Sequence, residues 1–338
     1  MNLVIDYFLR LGREASTQWN RFWFVPVDPA TLGMVRILAG AMLLYTHLVW
    51  ALDLEAFFGS HAWISPTAAR AWLGEDYSWS YLWLVHSNGV LWTLHLAGLI
   101  VIAMLMVGLQ TRIVSVLAFV VAISYVNRVP GALFGLDQIN VMLAMYLMLG
   151  PSGDAWSLDR WRARRSRGGV PLPVVPSIGA NIATRLMQVH MSIIYFFAGL
   201  SKMQGASWWE GTAMWGTISN LEYQSLDMTW MVDWPLALAF ATHLTAWWEL
   251  TFPVIIWPRI LRPLVLSIAL PLHLGIGLML GMWTFGLVML IGLSSFVPPE
   301  WVRAVVERGR AGGPAPTGGE SSAPSSCRTG SQAVGSAT

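Results

Sequence analysis

The stretch NIATRLMQVHMSIIYFFAGLSK, residues 181–202, decides what kind of chain this is. From Val189 onward it is an almost unbroken apolar run. A helix needs about 20 such residues to cross roughly 30 Å of hydrocarbon. The run ends on Lys202, the single lysine of the chain; the other basic residues are all arginine. An ammonium at the lip of a hydrocarbon slab is costly, and it is there to act or to snorkel. Lysine is also the basic side chain that a dry site converts into a neutral base, which arginine does not become.

Composition extends that reading to the whole chain. Of 338 residues, 55% are hydrophobic and 11% are charged, against roughly 25% charged in a soluble domain. Such a chain cannot cover itself with polar surface. The fold class expected is an all-α integral membrane protein of about eight transmembrane helices. The apolar runs are continuous, so the period-two alternation of a membrane β-barrel is missing. The net charge of +2 comes from arginines in loops, and no nucleic-acid partner is expected. The one cysteine, Cys327, excludes an intrachain disulfide and thiolate metal sites. No His-Glu-x-x-His or similar cluster is present, so no metal is expected. No signal peptide is read at the N-terminus.

Eight spans are predicted, near 31–52, 89–108, 112–129, 134–150, 182–203, 235–257, 260–281 and 283–298. Residues 1–26 mix apolar and basic positions and read as an interfacial amphipathic helix. Residues 27–302 form the transmembrane domain. Residues 303–338, rich in Gly, Ser, Ala and Pro, read as a disordered cytoplasmic tail. Arg10, Arg13, Arg21, Arg112, the group Arg160 to Arg167, Arg259, Arg262, Arg303, Arg308 and Arg310 all fall on one side of an eight-span chain. The opposite loops carry Asp53, Glu55, Glu75, Asp76, Glu210, Glu222, Asp227 and Asp233, against Arg70 and Arg128. The positive-inside rule then makes both termini cytoplasmic and turns Lys202 outward. The long outer loops, 53–88 and 204–234, are rich in tryptophan. They are expected to lie on the interface as short helices.

Counting back from Lys202 by helical turns puts Tyr195, Met191, Gln188 and Thr184 on one face. A lysine, a phenol, an amide and a hydroxyl sharing a face must look into a bundle rather than at lipid. The plainer reading is interhelical glue with a snorkelling lysine. His190 points elsewhere and deeper. The sixth span supplies Glu249 and, on another face, His243. An acid near mid-membrane is either paired and structural or free to handle protons. The second span carries His95, the fourth opens with Asp137, and the seventh carries His273. Lys202, His95, Asp137 and His243 fall in the outer half and His273 near the middle. A polar cavity open to the outside is the economical arrangement.

The stretch YFFAGLSKMQGASWWEGTAM (195–214) resembles the membrane domain of the vitamin K-dependent γ-glutamyl carboxylases and their bacterial relatives, the HTTM (horizontally transferred transmembrane) proteins. VDPATLGMVRILAG (27–40), GLQTR (108–112), WSLDRWRARR (156–165) and LPLHLGIGLMLGMWTFGLVMLIGLSSFVPPEW (270–301) follow in the matching order. The resemblance spans roughly 27–302. It implies a reduced quinone such as vitamin K as cofactor and a lysine that acts on it as base. Lys202 matches that lysine, and His273 matches a histidine of the closing segment. Two features depart from the carboxylases. Their large lumenal domain, which engages the glutamate-bearing substrate, has no counterpart in 303–338. Their histidine-containing block before span four stands here as FGLDQINVM (134–142), without histidine.

The expectation is a multi-pass protein of the bacterial inner membrane with an outward-facing, lysine-containing pocket for a quinone-like or other hydrophobic molecule. In it Lys202 and His273 are the catalytic pair for carboxylase- or oxygenase-like chemistry. Tyr195, Gln188, His243, Glu249, Asp137 and His95 surround the cofactor. The alternative is a non-enzymatic scaffold or lipid-binding protein. Transport would need a polar path through the inner half, where few polar groups are available.

Overall fold

The computed structural model describes residues 2–74 and 78–311. It is 76% helical, with no strand among the described residues. An isolated antiparallel bridge joins Val27 and Ser177. Helix α1 (Asn2–Trp23) precedes α2 (Ala30–Trp50). Two short helices, α3 (Leu54–Phe58) and α4 (Pro66–Leu73), sit in the first long loop. There follow α5 (Asn88–Val107), α6 (Thr111–Arg128), α7 (Gly135–Leu149), α8 (Leu158–Ser166) and α9 (Ile178–Lys202). The second long loop holds α10 (Ala206–Trp209) and α11 (Ala213–Ile218). Then come α12 (Pro235–Ile255), α13 (Arg262–Leu280), α14 (Trp283–Leu293) and α15 (Pro299–Ala311). Helix α15 takes in the start of the segment expected as tail; residues 312–338 lie outside the described residues.

Helices stand at all eight places where spans were predicted. By length and composition, four are apolar enough to cross a membrane: Ala30–Phe58, Asn88–Val107, Thr111–Arg128 and Arg262–Leu280. Trp283–Phe296 with Pro299–Arg308 makes a fifth only as one span bent by 110°. The other helices are shorter or carry polar groups: α7 has 15 residues, α9 holds Arg185 and Lys202, and α12 holds Glu249. Large apolar side chains such as Ile100, Ile113, Phe197, Phe240, Val254 and Leu264 stand exposed on the helix exteriors. In water that surface would be unfavourable, whereas lipid accepts it.

Two apolar cores share α2 and α7. One joins them to α9, α12, α13 and α14 through Leu32, Val35, Leu143, Met187, Tyr195, Phe252 and Phe296. The other joins them to α5, α6 and the first long loop through Leu43, Leu54, Leu82, Leu91, Ile102 and Tyr125. The bundle is therefore two halves packed on a common pair of helices.

Arg36, fully buried on α2, fixes one end of that pair. Its guanidinium donates to the carbonyls of Ser152 (2.8 Å), Ala155 (3.2 Å) and Trp156 (2.8 Å). Asp159, at the start of α8, accepts from the Gln110 and Thr111 amides at 2.8 and 2.9 Å and from the Thr111 hydroxyl at 3.0 Å. These amides open α6 and have no partner inside the helix, so a carboxylate satisfies them well. The segments 27–40, 108–112 and 156–165, far apart in sequence, thus meet at one end of the bundle.

Candidate functional site

Helices α9 and α12 approach unusually closely because residue 199 is glycine. A Cβ there would lie 2.5 Å from the Leu250 amide nitrogen and 2.7 Å from its Cα. Any side chain would push the helices apart. One turn further along α9, the close approach delivers an ion pair: Lys202 Nζ stands 2.5 Å from Glu249 Oε2. The two side chains are only 20% and 10% exposed. The Trp208 ring, just after α9, lies 5.1 Å from the same nitrogen. An ammonium over an indole face gains cation–π attraction, more so when desolvated.

The second pair of groups comes from α9 and α13. The Tyr195 hydroxyl and His273 Nε2 are 2.6 Å apart, both residues being buried. Trp248 and Phe252 of α12 hold the phenol ring at centroid distances of 5.1 and 4.5 Å. His273 is seated by the α13–α14 hairpin, where a Cβ on Gly286 would collide with the His273 carbonyl. The other ring nitrogen, Nδ1, is buried with no partner among the described residues.

A cavity of about 450 Å³ collects these groups. Lys202, Glu249, Tyr195, His273 and His190 line it together with Ile139, Met142, Ile194, Ile276, Phe285 and Met289. Gly135 and the exposed Gln138, at the start of α7, line it too. Its walls are mostly apolar, with a few polar groups among them.

The HTTM domain family matches residues 24–301. The chain belongs to that family. No curated protein and no solved structure matches it. The HTTM domain is a membrane domain related to the vitamin K-dependent carboxylases.

Within this HTTM domain, four of the eight site residues read from the sequence do not reach the cavity. Gln188 faces the other way along α9: its amide nitrogen donates to the Ser295 carbonyl (2.8 Å) and its oxygen accepts from Arg185 (3.0 Å). Asp137 turns back to accept from the Phe134 amide at 2.9 Å and so caps α7. His243 lies beside Gly211 of the second long loop, with Nε2 3.2 Å from where a Gly211 Cβ would be. His95 belongs to a separate aromatic group in the other half-bundle. Its Nδ1 is 2.6 Å from the Tyr125 hydroxyl, and its ring stacks 6.3 Å from that of His47.

The reason lies in helix geometry. Thr184, Gln188, Met191 and Tyr195 do form a stripe nearly parallel to the α9 axis, but its lower part packs on α14, with Met191 tight against Gly292. The cavity instead follows residues 190, 194, 198 and 202. That is an i, i+4 row, inclined about 26° to the axis. His190, expected to point elsewhere, stands on it as floor of the cavity, its Nδ1 2.9 Å from the Tyr146 hydroxyl of α7. The i, i+4 spacing from Lys202 was the signal that locates it. No such signal exists for Trp208.

Proposed function

We propose that this HTTM protein crosses the bacterial inner membrane eight times with both termini inside. In this reading the Lys202 cavity opens outward and holds a quinone-like hydrophobic molecule on which Lys202 acts as base. The reading rests on one observation: Lys202 with Glu249, Tyr195 with His273, and His190 surround a single cavity of otherwise apolar lining.

The lining suits such a molecule. A flat ring needs apolar walls, which Ile139, Met142, Ile276, Phe285 and Met289 supply. Its oxygens need donors or acceptors. In the tautomer in which the phenol donates to Nε2, the His273 ring proton sits on Nδ1, the buried atom without a partner. An unsatisfied buried donor is unfavourable until an acceptor arrives. Gln188, Asp137, His243 and His95 have no direct part in this version of the site.

A reduced quinone, when bound, supplies an acidic hydroxyl and a stored electron pair. The chain's own part is the proton. Lys202 receives it as a neutral amine. Glu249, 2.5 Å away, takes up the proton that the ammonium must first give away. The pair changes state without changing its net charge, which an apolar surrounding favours. Tyr195, backed by His273, orients the oxygen. The reaction class would be that of the vitamin K-dependent carboxylases, at the quinol deprotonation step.

The test uses the full chain in lipid nanodiscs, extraction of co-purified lipids, and titration with menaquinone followed by tryptophan fluorescence, with Trp208→Phe isolating the share of the signal that comes from beside Lys202. The wild type should retain a quinone-class lipid, and Lys202→Met should bind it at least tenfold more weakly. Equal binding by the variant would remove Lys202 from the site. A second reading draws on the same ion pair: Lys202 and Glu249 clamp α9 to α12 and do nothing else. The paired substitution Lys202→Met with Glu249→Leu separates the two. A clamp tolerates replacement by two packed apolar groups, whereas a base does not.

A further inference from the structure

A second cavity, of about 510 Å³, lies at the opposite end of α9. Arg185 is 17 residues before Lys202, which is about 25 Å along the helix. Three arginines line this cavity, Arg185, Arg259 and Arg262, against one carboxylate, that of the exposed Glu300. No ion pair joins any of them to an acid among the described residues, where the salt bridges are Lys202–Glu249 and Arg303–Asp28. Val27 also lines it, so it opens at the end of the bundle where Val27 bridges to Ser177.

Placing three like charges about one hollow is unfavourable unless something anionic shares it. Two of the three, Arg185 and Arg262, are built in rather than splayed into solvent. The Arg185 guanidinium lies 4.4 Å over the Phe22 ring and 5.8 Å from that of Trp257. Its Nη1 donates to Gln188, and its Nε is buried without a partner among the described residues. Arg262 donates to the carbonyls of Ile256, Trp257 and Phe296, which orients its planar head. Ser295, 1% exposed, has its Oγ buried and unpartnered on the wall of the same cavity. The hollow therefore presents spare donors and excess positive charge. Arginine forks match phosphate oxygens.

We propose that this cavity binds a phosphate group, supplied by the headgroup of an anionic phospholipid whose acyl chains run up the exposed apolar flank of α13. Leu270 and Leu274, exposed on α13 one and two turns on from the cavity-lining Leu266, offer that flank. Basic hollows between membrane helices recognise such headgroups, at about fivefold in affinity per arginine. The site is separate from the Lys202 cavity and does not depend on what that cavity holds.

The experiment takes the purified full chain through detergent delipidation and native mass spectrometry. It is then offered phosphatidylglycerol, phosphatidylcholine or inorganic phosphate, and thermal melting is followed in parallel. The wild type should keep phosphatidylglycerol and gain melting temperature from it, and phosphatidylcholine should do neither. Arg259→Gln removes an exposed charge that makes no hydrogen bond in the described structure, so the fold is spared. It should weaken phosphatidylglycerol retention about fivefold, and Arg185→Gln with Arg259→Gln about 25-fold, by the same per-arginine factor. Retention of phosphatidylglycerol by the double variant at the wild-type level would overturn the site. Stabilisation by inorganic phosphate equal to that by phosphatidylglycerol would overturn the lipid source and leave a soluble phosphate in its place.

Discussion

Glu249→Gln is expected to harm this protein more than any other single change around the cavity. It leaves Lys202, 80% covered, facing an amide instead of a carboxylate. Breaking a buried pair from one side costs about 3 kcal/mol or more. Thermal melting in detergent should show the loss, and Lys202→Met in the same chain should restore most of it. If Glu249→Gln melts like the wild type, the two groups are not paired in solution. Tyr195→Phe probes the neighbouring pair. It strips His273 Nε2 of its partner while Nδ1 is already bare, and an unsatisfied buried nitrogen costs about 1–3 kcal/mol. The same melts measure it. A solitary lysine among arginines announces itself in composition, so Lys202 was legible from the sequence. Its partner was visible only as an acid in a membrane segment, because the register between α9 and α12 is set by Gly199, and no pattern in the chain marks which residue of α12 that glycine meets. His190 escaped through geometry, lying on an inclined row while the sequence was read along the axial stripe.

At the scale of elements, the positions of the long helices were readable because apolar runs have length as well as character. What joins them was not. Asp159 illustrates this: in sequence it is one acid in an arginine-rich segment, and in space it caps α6 from α8. Asp159→Asn turns one of the two accepting oxygens into a donor and should cost about 1 kcal/mol. The pH dependence has a definite sign. Burial alone would raise the Asp159 carboxyl, but the Thr111 and Gln110 amides, the Thr111 hydroxyl and the charge of Arg162 outweigh it and hold it below the ordinary value. A carboxylate depressed in the folded state stabilises fully above its unfolded value, about 3.9. That contribution fades as pH falls through the lower folded value. The melting difference between wild type and Asp159→Asn should therefore be constant from pH 7 to 5 and shrink below about pH 4. A difference that grew on acidification would contradict the capping role. Asp28 should behave alike: burial opposes its ionisation, while Arg303, at 2.5 and 2.7 Å, and the Ala30 amide lower it on balance.

For the molecule as a whole, topology turns on α7. Its 15 residues reach about 22 Å, short of the roughly 30 Å of hydrocarbon. Either it crosses with the turns at both ends dipping into the slab, or it returns to the side it left. The two cases reverse the placement of everything after it. Crossing puts the arginines of α8 on the same side as those of α1 and α15, and turns the loop after Lys202 to the opposite face. Returning would put five arginines between Arg160 and Arg167 outside and Lys202 inside, against the positive-inside rule. Single cysteines decide it in whole cells, with Cys327→Ser as background. Ser60→Cys and Ser207→Cys should react with an impermeant maleimide from outside, while Ser166→Cys should react only after permeabilisation. All three are exposed positions. Labelling of Ser166→Cys from outside with protection of Ser207→Cys would make α7 a re-entrant segment. It would also turn the lysine cavity to the cytoplasm, where a quinone-like ligand would have to enter from the inner leaflet.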